Sequence, residues 1–173
     1  MSETPSKPPV VINFAYGSNM LEARIRERAP SAQSLGVAEL PGYRLRWHKV
    51  GSDGSGKCDI VKGDEEATVF GVLFSIPAAE KSALDRAEGL GSGYAERKIV
   101  VSAQDAPVEA SVYYATKTDP SVRPYSWYKA LVVAGAKQHA LPSHYIATLE
   151  VTVVIEDPDR SRHSRNMALA NAG

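Results

Sequence analysis

Residues 13–20 read NFAYGSNM and lie between an apolar run, Val10 to Ile12, and a charged stretch, LEARIRER, at 21–28. The apolar run predicts a β-strand and the charged stretch has helical spacing, so the polar residues mark the point where a strand ends and a helix begins. Two interpretations remain for these polar residues. They form either an ordinary polar turn or a cradle of backbone N–H groups directed at an anion.

Outward from this stretch, short apolar runs flanked by Gly, Pro or Asp predict further strands. With the first, the predicted strands cover residues 10–16, 34–40, 43–50, 68–76, 97–102 and 109–115. Helical spacing occurs at 21–28, 78–89 and 126–140 and again after Pro142. Strands dominate early and helices late, which favours an α+β fold with a mixed β-sheet curled into a barrel and flanking helices, over a doubly wound parallel sheet.

The composition divides the chain into three parts. Residues 1–9 contain little that a core could bury and are expected to be a flexible N-terminal arm. Residues 10–156 form the expected domain. Residues 157–173, DPDRSRHSRNMALANAG, have no apolar period, and they are predicted to be a disordered tail, with a partner-binding segment as the alternative.

Charge and hydropathy narrow the expected partners to a small molecule. Lys plus Arg and Asp plus Glu number 20 each, so no net field attracts nucleic acid or an anionic membrane. The longest apolar stretch, ALVVAGA at 130–136, is about a third of the roughly 20 residues that a membrane-spanning helix needs. The single cysteine, Cys58, and an N-terminus without the features of a secretory signal predict a cytoplasmic protein.

Several apparent motifs fail on inspection. GSDGSGKC at 51–58 approaches a phosphate-binding loop, but Cys58 replaces the required hydroxyl and no helical pattern follows, so a flexible loop is the better interpretation. Neither Cys58 nor Ser18 has a base nearby in sequence, which argues against a nucleophile. No two histidines have the spacing of a metal site on one helical face. We therefore predict neither a metal nor a cofactor.

One carboxylate occupies an unusual position. Residues 78–89, AAEKSALDRAEG, have a helical pattern whose apolar stripe is Ala83, Leu84 and Ala87. Glu88 follows Leu84 by four residues and shares this face, in the last turn, where the helix dipole disfavours negative charge by about 0.3–1 kcal/mol. Either the helix end frays and Glu88 reaches water, or its carboxylate occupies a partly apolar site. There desolvation raises the pKa of a carboxyl group and permits proton transfer near neutral pH.

An anion cradle and an inward carboxylate suggest a division of labour. The loop at 16–19 binds an anion or a developing oxyanion, while Glu88 moves protons. Because neither a metal nor a covalent intermediate is needed, the chemistry that fits is an intramolecular acyl transfer, in which the substrate supplies its own nucleophile.

Five blocks in this order resemble the γ-glutamylcyclotransferase family and its AIG2-like relatives, from about Ile12 to about Leu149. The blocks are NFAYGSNM (13–20), RIRERAPSA (24–32), VFGVLFSI (69–76), LDRAEGLGSGY (84–94) and YKALVVAGAKQHALPSHY (128–145). The resemblance implies a barrel with its active site at the mouth, in an enzyme that cyclises a γ-glutamyl group to 5-oxoproline and releases an amino acid or an amine. It also makes a homodimer an expectation and suggests that residues 47–68 border the site.

The resemblance assigns roles to residues of this sequence. Glu88 corresponds to the family's catalytic glutamate. The family's substrate-binding positions correspond to Asn13, Phe14, Ala15, Tyr16, Gly17, Ser18, Asn19, Tyr94 and Tyr128. For Tyr16 and Tyr128, packing in the core is the alternative to lining the site. Two rival functions stay open: a small-molecule-binding protein of the same fold without turnover, and an interaction module acting through the basic tail.

Overall fold

The fold is a closed mixed barrel with helices packed outside it, as predicted. The computed structural model describes residues 5–173. The strands are β1 (Val10–Ala15), β2 (Gln33–Pro41), β3 (Tyr43–Val50), β4 (Gly56–Lys62), β5 (Thr68–Pro77), β6 (Tyr94–Ala103) and β7 (Ala106–Ala115). The helices are α1 (Glu22–Arg26), α2 (Ala78–Glu88), α3 (Ser126–Gln138), α4 (Ser143–Glu150) and α5 (Arg160–Ala172). Among residues 5–173, no helix combines the length and the apolar composition needed to cross a membrane.

Barrel closure gives the first strand a pairing partner on each of its two edges. The strand order is β1-β5-β2-β6-β7, and β1 closes the barrel by pairing parallel with β7, where Asn13 faces Ser111. The other pairings within the barrel are antiparallel. Phe14 and Phe74 are among the largest fully buried side chains, and they lie on opposite faces of the sheet, because Phe14 is paired with Leu73 and Phe74 with Asn13. Because β1 is held by β5 on one edge and by β7 on the other, the barrel fixes the position at which the chain leaves the strand at residue 16.

Helix α3 lies directly against the segment that follows β1. A Cβ atom at Gly135 would lie 2.6 Å from the backbone nitrogen of Leu21 and 2.8 Å from the carbonyl carbon of Met20. Only a glycine permits this approach, because the neighbouring atoms belong to the backbone and cannot rotate away. The contact fixes the end of the 3-10 turn Ser18–Met20 against the helix.

The loop predicted over 51–58 is in part a strand. The side chain of Asp53 accepts hydrogen bonds from the backbone N–H and the hydroxyl of Ser55, which closes a tight turn. Strand β4 follows at once and pairs antiparallel with β3. The sequence lacks the alternation of a strand here because Lys57 and Asp59 both find partners inside the protein.

The prediction of a disordered tail at 157–173 is wrong. Asp159 caps helix α5 by accepting a hydrogen bond from the backbone N–H of Arg162, and Asn166 and Ala170 are buried. The helix has no apolar stripe of its own, and polar contacts hold it, chiefly the buried carboxylate of Asp157 with Arg162. Contacts of this kind leave no periodic signal in the sequence.

The predicted N-terminal arm lies partly outside the described residues, because 1–4 are not among them. Residues 5–9 are exposed and have no regular secondary structure. The carbonyl of Pro9 accepts a hydrogen bond from Ala78 at the start of α2, so the end of this segment is attached to the fold.

Candidate active site

A cavity opens where β1 gives way to the 3-10 turn, and all the predicted site residues line it. These are Asn13, Phe14, Ala15, Tyr16, Gly17, Ser18, Asn19, Glu88, Tyr94 and Tyr128. Cys58 and Tyr113 complete the lining. We call this space the first cavity. Residues from six separate parts of the sequence meet there, because the fold brings the end of β1 next to β4, the end of α2, β6, β7 and α3.

Glu88 is the last residue of α2 and points inward. Gly89 adopts the left-handed conformation (φ 68°, ψ 41°) that ends the helix and turns the chain away. The carboxylate is 15% exposed, and its Oε1 atom accepts hydrogen bonds from Nδ2 of Asn19 at 2.7 Å and from Arg28 at 3.1 Å. The helix end is therefore tied to the loop after β1 and does not fray into water. The guanidinium of Arg28 thus places a positive charge 3.1 Å from this carboxylate.

Arg28 also holds the loop itself, and the sequence analysis missed it. Its NH1 group donates to Oδ1 of Asn19 at 2.7 Å as well as to Glu88. Asn19, Arg28 and Glu88 thus form a closed triangle of hydrogen bonds. No signal in the sequence links Arg28 to Glu88, since the two residues are 60 positions apart.

The loop offers backbone donors toward the cavity. The 3-10 turn has Gly17 as its N-cap without a side-chain cap. Within residues 5–173, the N–H groups of Gly17, Ser18 and Asn19 donate to no protein acceptor. A Cβ atom at Gly17 would lie 3.2 Å from both Cβ of Cys58 and the hydroxyl of Tyr128, so this position tolerates little more than glycine. Consecutive free N–H groups of this kind are typical of anion-binding loops.

Tyrosine hydroxyls make the remaining wall neutral and rigid. Tyr94 donates to the carbonyl of Cys58 at 2.6 Å, and Tyr128 accepts from the N–H of Cys58 at 3.0 Å. Tyr16 donates to the carbonyl of Tyr113 at 2.6 Å. Both interpretations of Tyr16 and Tyr128 therefore hold, because each is buried in the core and lines the cavity. Burial raises the pKa of all three hydroxyls well above 10.0, so they stay uncharged.

The thiol of Cys58 is also kept neutral. Burial raises its pKa to about 12, so the thiolate that a nucleophile needs is scarce at neutral pH. This agrees with its interpretation as an unreactive side chain.

Tyr113 and Asp85 form a second pair that the sequence analysis missed. The hydroxyl of Tyr113 donates to Oδ1 of Asp85 at 2.5 Å, and Lys81 binds the same oxygen. Asp85 therefore contacts a residue of the cavity wall, although it lies outside the apolar stripe of α2. The alternation of β7 contained a usable signal, because Tyr113 lies two residues after Ser111, whose side chain contacts Asn13.

A second cavity adjoins the first and has a different character. The two share Ser18, Glu88, Tyr94 and Tyr128. The charged residues lining the second are four cations and two carboxylates: Arg24, Arg28, Lys49, Lys57, Asp53 and Glu88. Several of these come from residues 47–68, the segment expected to border the site. Glu88 lines both cavities, so a group bound in either one can reach its carboxylate.

Comparison with known proteins agrees with this arrangement. The AIG2-like family matches residues 68–149. The γ-glutamylcyclotransferase of Bos taurus is 34% identical over 146 residues, covering 76% of this chain and 73% of that protein. The enzyme of the same name from Homo sapiens is 32% identical over the same shares. A solved structure of a γ-glutamyl cyclotransferase is 25% identical, covers 95% of this chain and 100% of that one, and superposes with a TM-score of 0.84. The chain belongs to the γ-glutamylcyclotransferase family.

Proposed function

We propose that the protein converts a γ-glutamyl amino acid to 5-oxoproline and the free amino acid, with Glu88 as general acid and base. The observation that carries this proposal is the position of Glu88, whose carboxylate lies at the boundary of the two cavities and within hydrogen-bonding distance of the loop after β1. The homology to named γ-glutamylcyclotransferases supports the reaction class.

The reaction consists of one ring closure and the transfer of two protons from the α-nitrogen to the departing nitrogen. The carboxylate of Glu88 takes the first proton from the substrate's α-ammonium group, and the free amine attacks the γ-carbonyl carbon. A carbon–nitrogen bond forms within the five-membered ring, and Glu88 returns its proton to the departing nitrogen. As the original amide bond breaks, the ring nitrogen gives up its second proton, which the departing amine takes up, so the amino acid leaves with an ammonium group. Holding amine and carbonyl as near neighbours gives effective molarities of about 10⁵ M or more.

The loop supplies the anion cradle of this mechanism. The N–H groups of Gly17, Ser18 and Asn19 bind the substrate's α-carboxylate or the oxyanion that forms at the γ-carbonyl. A well-aimed donor to such an oxyanion contributes about 3 kcal/mol to lowering the barrier. The buried tyrosines exclude water from the first cavity. Because their hydroxyls are uncharged, they bring no further charge next to Glu88.

The second cavity favours an amino acid over an amine as the leaving group. With the γ-glutamyl group in the first cavity, the departing part of the substrate lies beyond Glu88, among the cations. An amino acid carries a carboxylate that these cations attract, whereas a simple amine does not. We therefore expect γ-glutamyl-alanine to be a better substrate than γ-glutamyl-ethylamide, which differs from it only by that carboxylate.

The test is to measure 5-oxoproline formation from these two compounds with the wild-type protein and with Glu88→Gln. Glutamine keeps the shape and still accepts hydrogen bonds, but it cannot take up the proton, so kcat should fall by at least about 100-fold. The matched control is Glu80→Gln on the same helix, where the carboxylate contacts only the backbone of Ser31 at the surface. Undiminished turnover by Glu88→Gln would exclude this role for Glu88. Tight binding of 5-oxoproline by a wild-type protein that forms no product would instead identify a binding protein.

A further inference from the structure

Two of the four cations in the second cavity have no strong anionic partner. Arg28 lies 3.1 Å from Glu88, and Lys57 lies 3.0 Å from Asp53. Within residues 5–173, the ammonium of Lys49 makes neither an ion pair nor a hydrogen bond. Arg28 and Lys57 are thus each paired with a carboxylate, whereas Lys49 and Arg24 lack a close anionic partner within the described part of the chain.

Lys49 is unusual because it is buried without an anion. The residue is 8% exposed, and its Nζ atom lies 4.4 Å from the ring centroid of Tyr94. Burial lowers the pKa of Lys49, and the charge of Lys117 adds to this effect, although Glu88 and Asp53 oppose it. The side chain is thus largely removed from water while its ammonium has no anion beside it among residues 5–173, and a ligand can supply that anion.

Arg24 also has unused hydrogen-bonding capacity. Its Nε group is buried without an acceptor, while NH1 donates to Oδ1 of Asn166 at 3.3 Å. The nearest carboxylate, Glu27, is 3.6 Å away and half exposed. Burial lowers the pKa of Arg24 to about 10, and the neighbouring charge of Arg28 contributes. A guanidinium with a free donor edge is well suited to a carboxylate.

The charges of the residues that line the second cavity indicate which charge its ligand carries. Among the lining residues, four cations against two carboxylates leave a formal charge of +2, which Glu27, half exposed and 3.6 Å from Arg24, offsets only in part. The α-ammonium and α-carboxylate of the γ-glutamyl group balance each other in the first cavity. A leaving amino acid with an uncharged side chain brings one negative charge and leaves one cation unmatched. Only a leaving group with two carboxylates neutralises both.

We propose that the second cavity is a leaving-group subsite selective for an acidic amino acid, with Lys49 and Arg24 as its specificity-determining residues. This inference rests on the proposed function, because it assumes that the departing part of the substrate occupies the second cavity. It assigns to Lys49 a role in substrate choice and none in the proton transfers at Glu88.

The first measurement needs no variant. γ-Glutamyl-glutamate and γ-glutamyl-glutamine have the same shape and differ by a single charge on the leaving group. We expect kcat/KM for the glutamate compound to be about tenfold higher, the effect of one charged hydrogen bond, and the difference to lie mainly in KM. Raising the salt concentration should reduce this ratio.

Variants of Lys49 then test whether this residue causes the difference in kcat/KM between the two dipeptides. Lys49→Met should bring the ratio close to one, and Lys49→Arg should retain most of it, because the positive charge remains. The control is Lys98→Met, an exposed lysine of β6 away from both cavities, which should keep the wild-type ratio. Thermal unfolding of each variant without substrate checks that the fold is intact.

The outcomes separate this inference from the proposed function. If no γ-glutamyl compound gives 5-oxoproline, the proposed function fails and takes this inference with it. If both dipeptides are turned over with equal kcat/KM in the wild-type protein, the cyclotransferase activity stands and the acidic-leaving-group inference is overturned. A ratio that persists in a folded Lys49→Met variant would overturn the assignment to Lys49.

Discussion

The two adjoining cavities are built on opposite principles. In the first, each tyrosine hydroxyl has a protein partner, as with Tyr94 and Tyr128 on the backbone of Cys58. In the second, Lys49 and Arg24 keep polar groups without a strong protein partner. The tyrosine wall of the first cavity has its hydrogen bonds before substrate arrives, whereas the cations of the second cavity obtain their partners from the substrate.

The first cavity determines the precision of the reaction, and the second determines the choice of leaving group. Ring closure depends on the exact approach of two atoms, so its cavity benefits from walls whose hydrogen bonds are already made. Choice of leaving group depends on a difference in charge, so its cavity benefits from cations that a matching ligand satisfies and a mismatched one does not. Damage to the first cavity should therefore appear in kcat, and damage to the second in KM.

The largest expected effect comes from filling the first cavity. Gly17→Ala places a methyl group 3.2 Å from Cys58 and from the hydroxyl of Tyr128 and displaces the loop by a few tenths of an ångström. We expect kcat/KM to fall by about 100-fold, because small shifts of the reacting groups are costly. Steady-state kinetics with γ-glutamyl-glutamate and γ-glutamyl-glutamine checks this result. If the variant changes the ratio between the two dipeptides, the separation of the cavities is contradicted.

A smaller effect should follow from removing the cation that links the two spaces. Arg28→Met removes the hydrogen bonds that hold the carboxylate of Glu88 and the side chain of Asn19 in place, so both groups lose a fixed position. We expect kcat to fall by about tenfold, the effect of losing hydrogen bonds to a charged group. Steady-state kinetics with γ-glutamyl-alanine measure the change. Arg26→Met is the control, since Arg26 pairs with Glu22 at the surface, and an equal fall in that variant would contradict the specific role of Arg28.

The smallest expected effect lies behind the second cavity, at helix α5. Asn166→Ala removes the acceptor that holds NH1 of Arg24. We expect KM for γ-glutamyl-alanine to rise about two- to fivefold with kcat unchanged, the worth of one weak hydrogen bond. The exposed Arg165→Ala on the same helix serves as the control. A loss confined to kcat would place Arg24 among the groups that promote the chemistry.

Much of the fold was readable from the sequence because barrel strands and packed helices leave periodic patterns. The strands β1 and β5 carry apolar runs, and residues 78–89 carry a helical stripe that ends at a glycine. The prediction failed for β4 and α5. Both are held by polar side chains, such as Lys57 on Asp53 and Arg162 on Asp157, whose partners no period reveals.

The site residues also fall into those that the sequence predicted and those that it did not. The sequence pattern gave the anion-binding loop after β1 and the inward position of Glu88 each as one of two interpretations, and the resemblance assigned Glu88, Tyr94 and Tyr128 to the site. Arg28 and Lys49 escaped notice, because a basic residue in a charged stretch looks the same in sequence whether it faces water or a cavity.

Sequence patterns alone predict the period of the strands and helices, the end of β1 in a glycine-containing loop, and the face of α2 that carries Glu88. These depend on neighbours within a few positions along the chain. The tertiary structure alone decided that Asn19 and Glu88, 69 residues apart, share a hydrogen bond, and that Lys49 is buried without an anion. Such properties follow from barrel closure, because closure sets both the distances between remote side chains and the amount of water that reaches them.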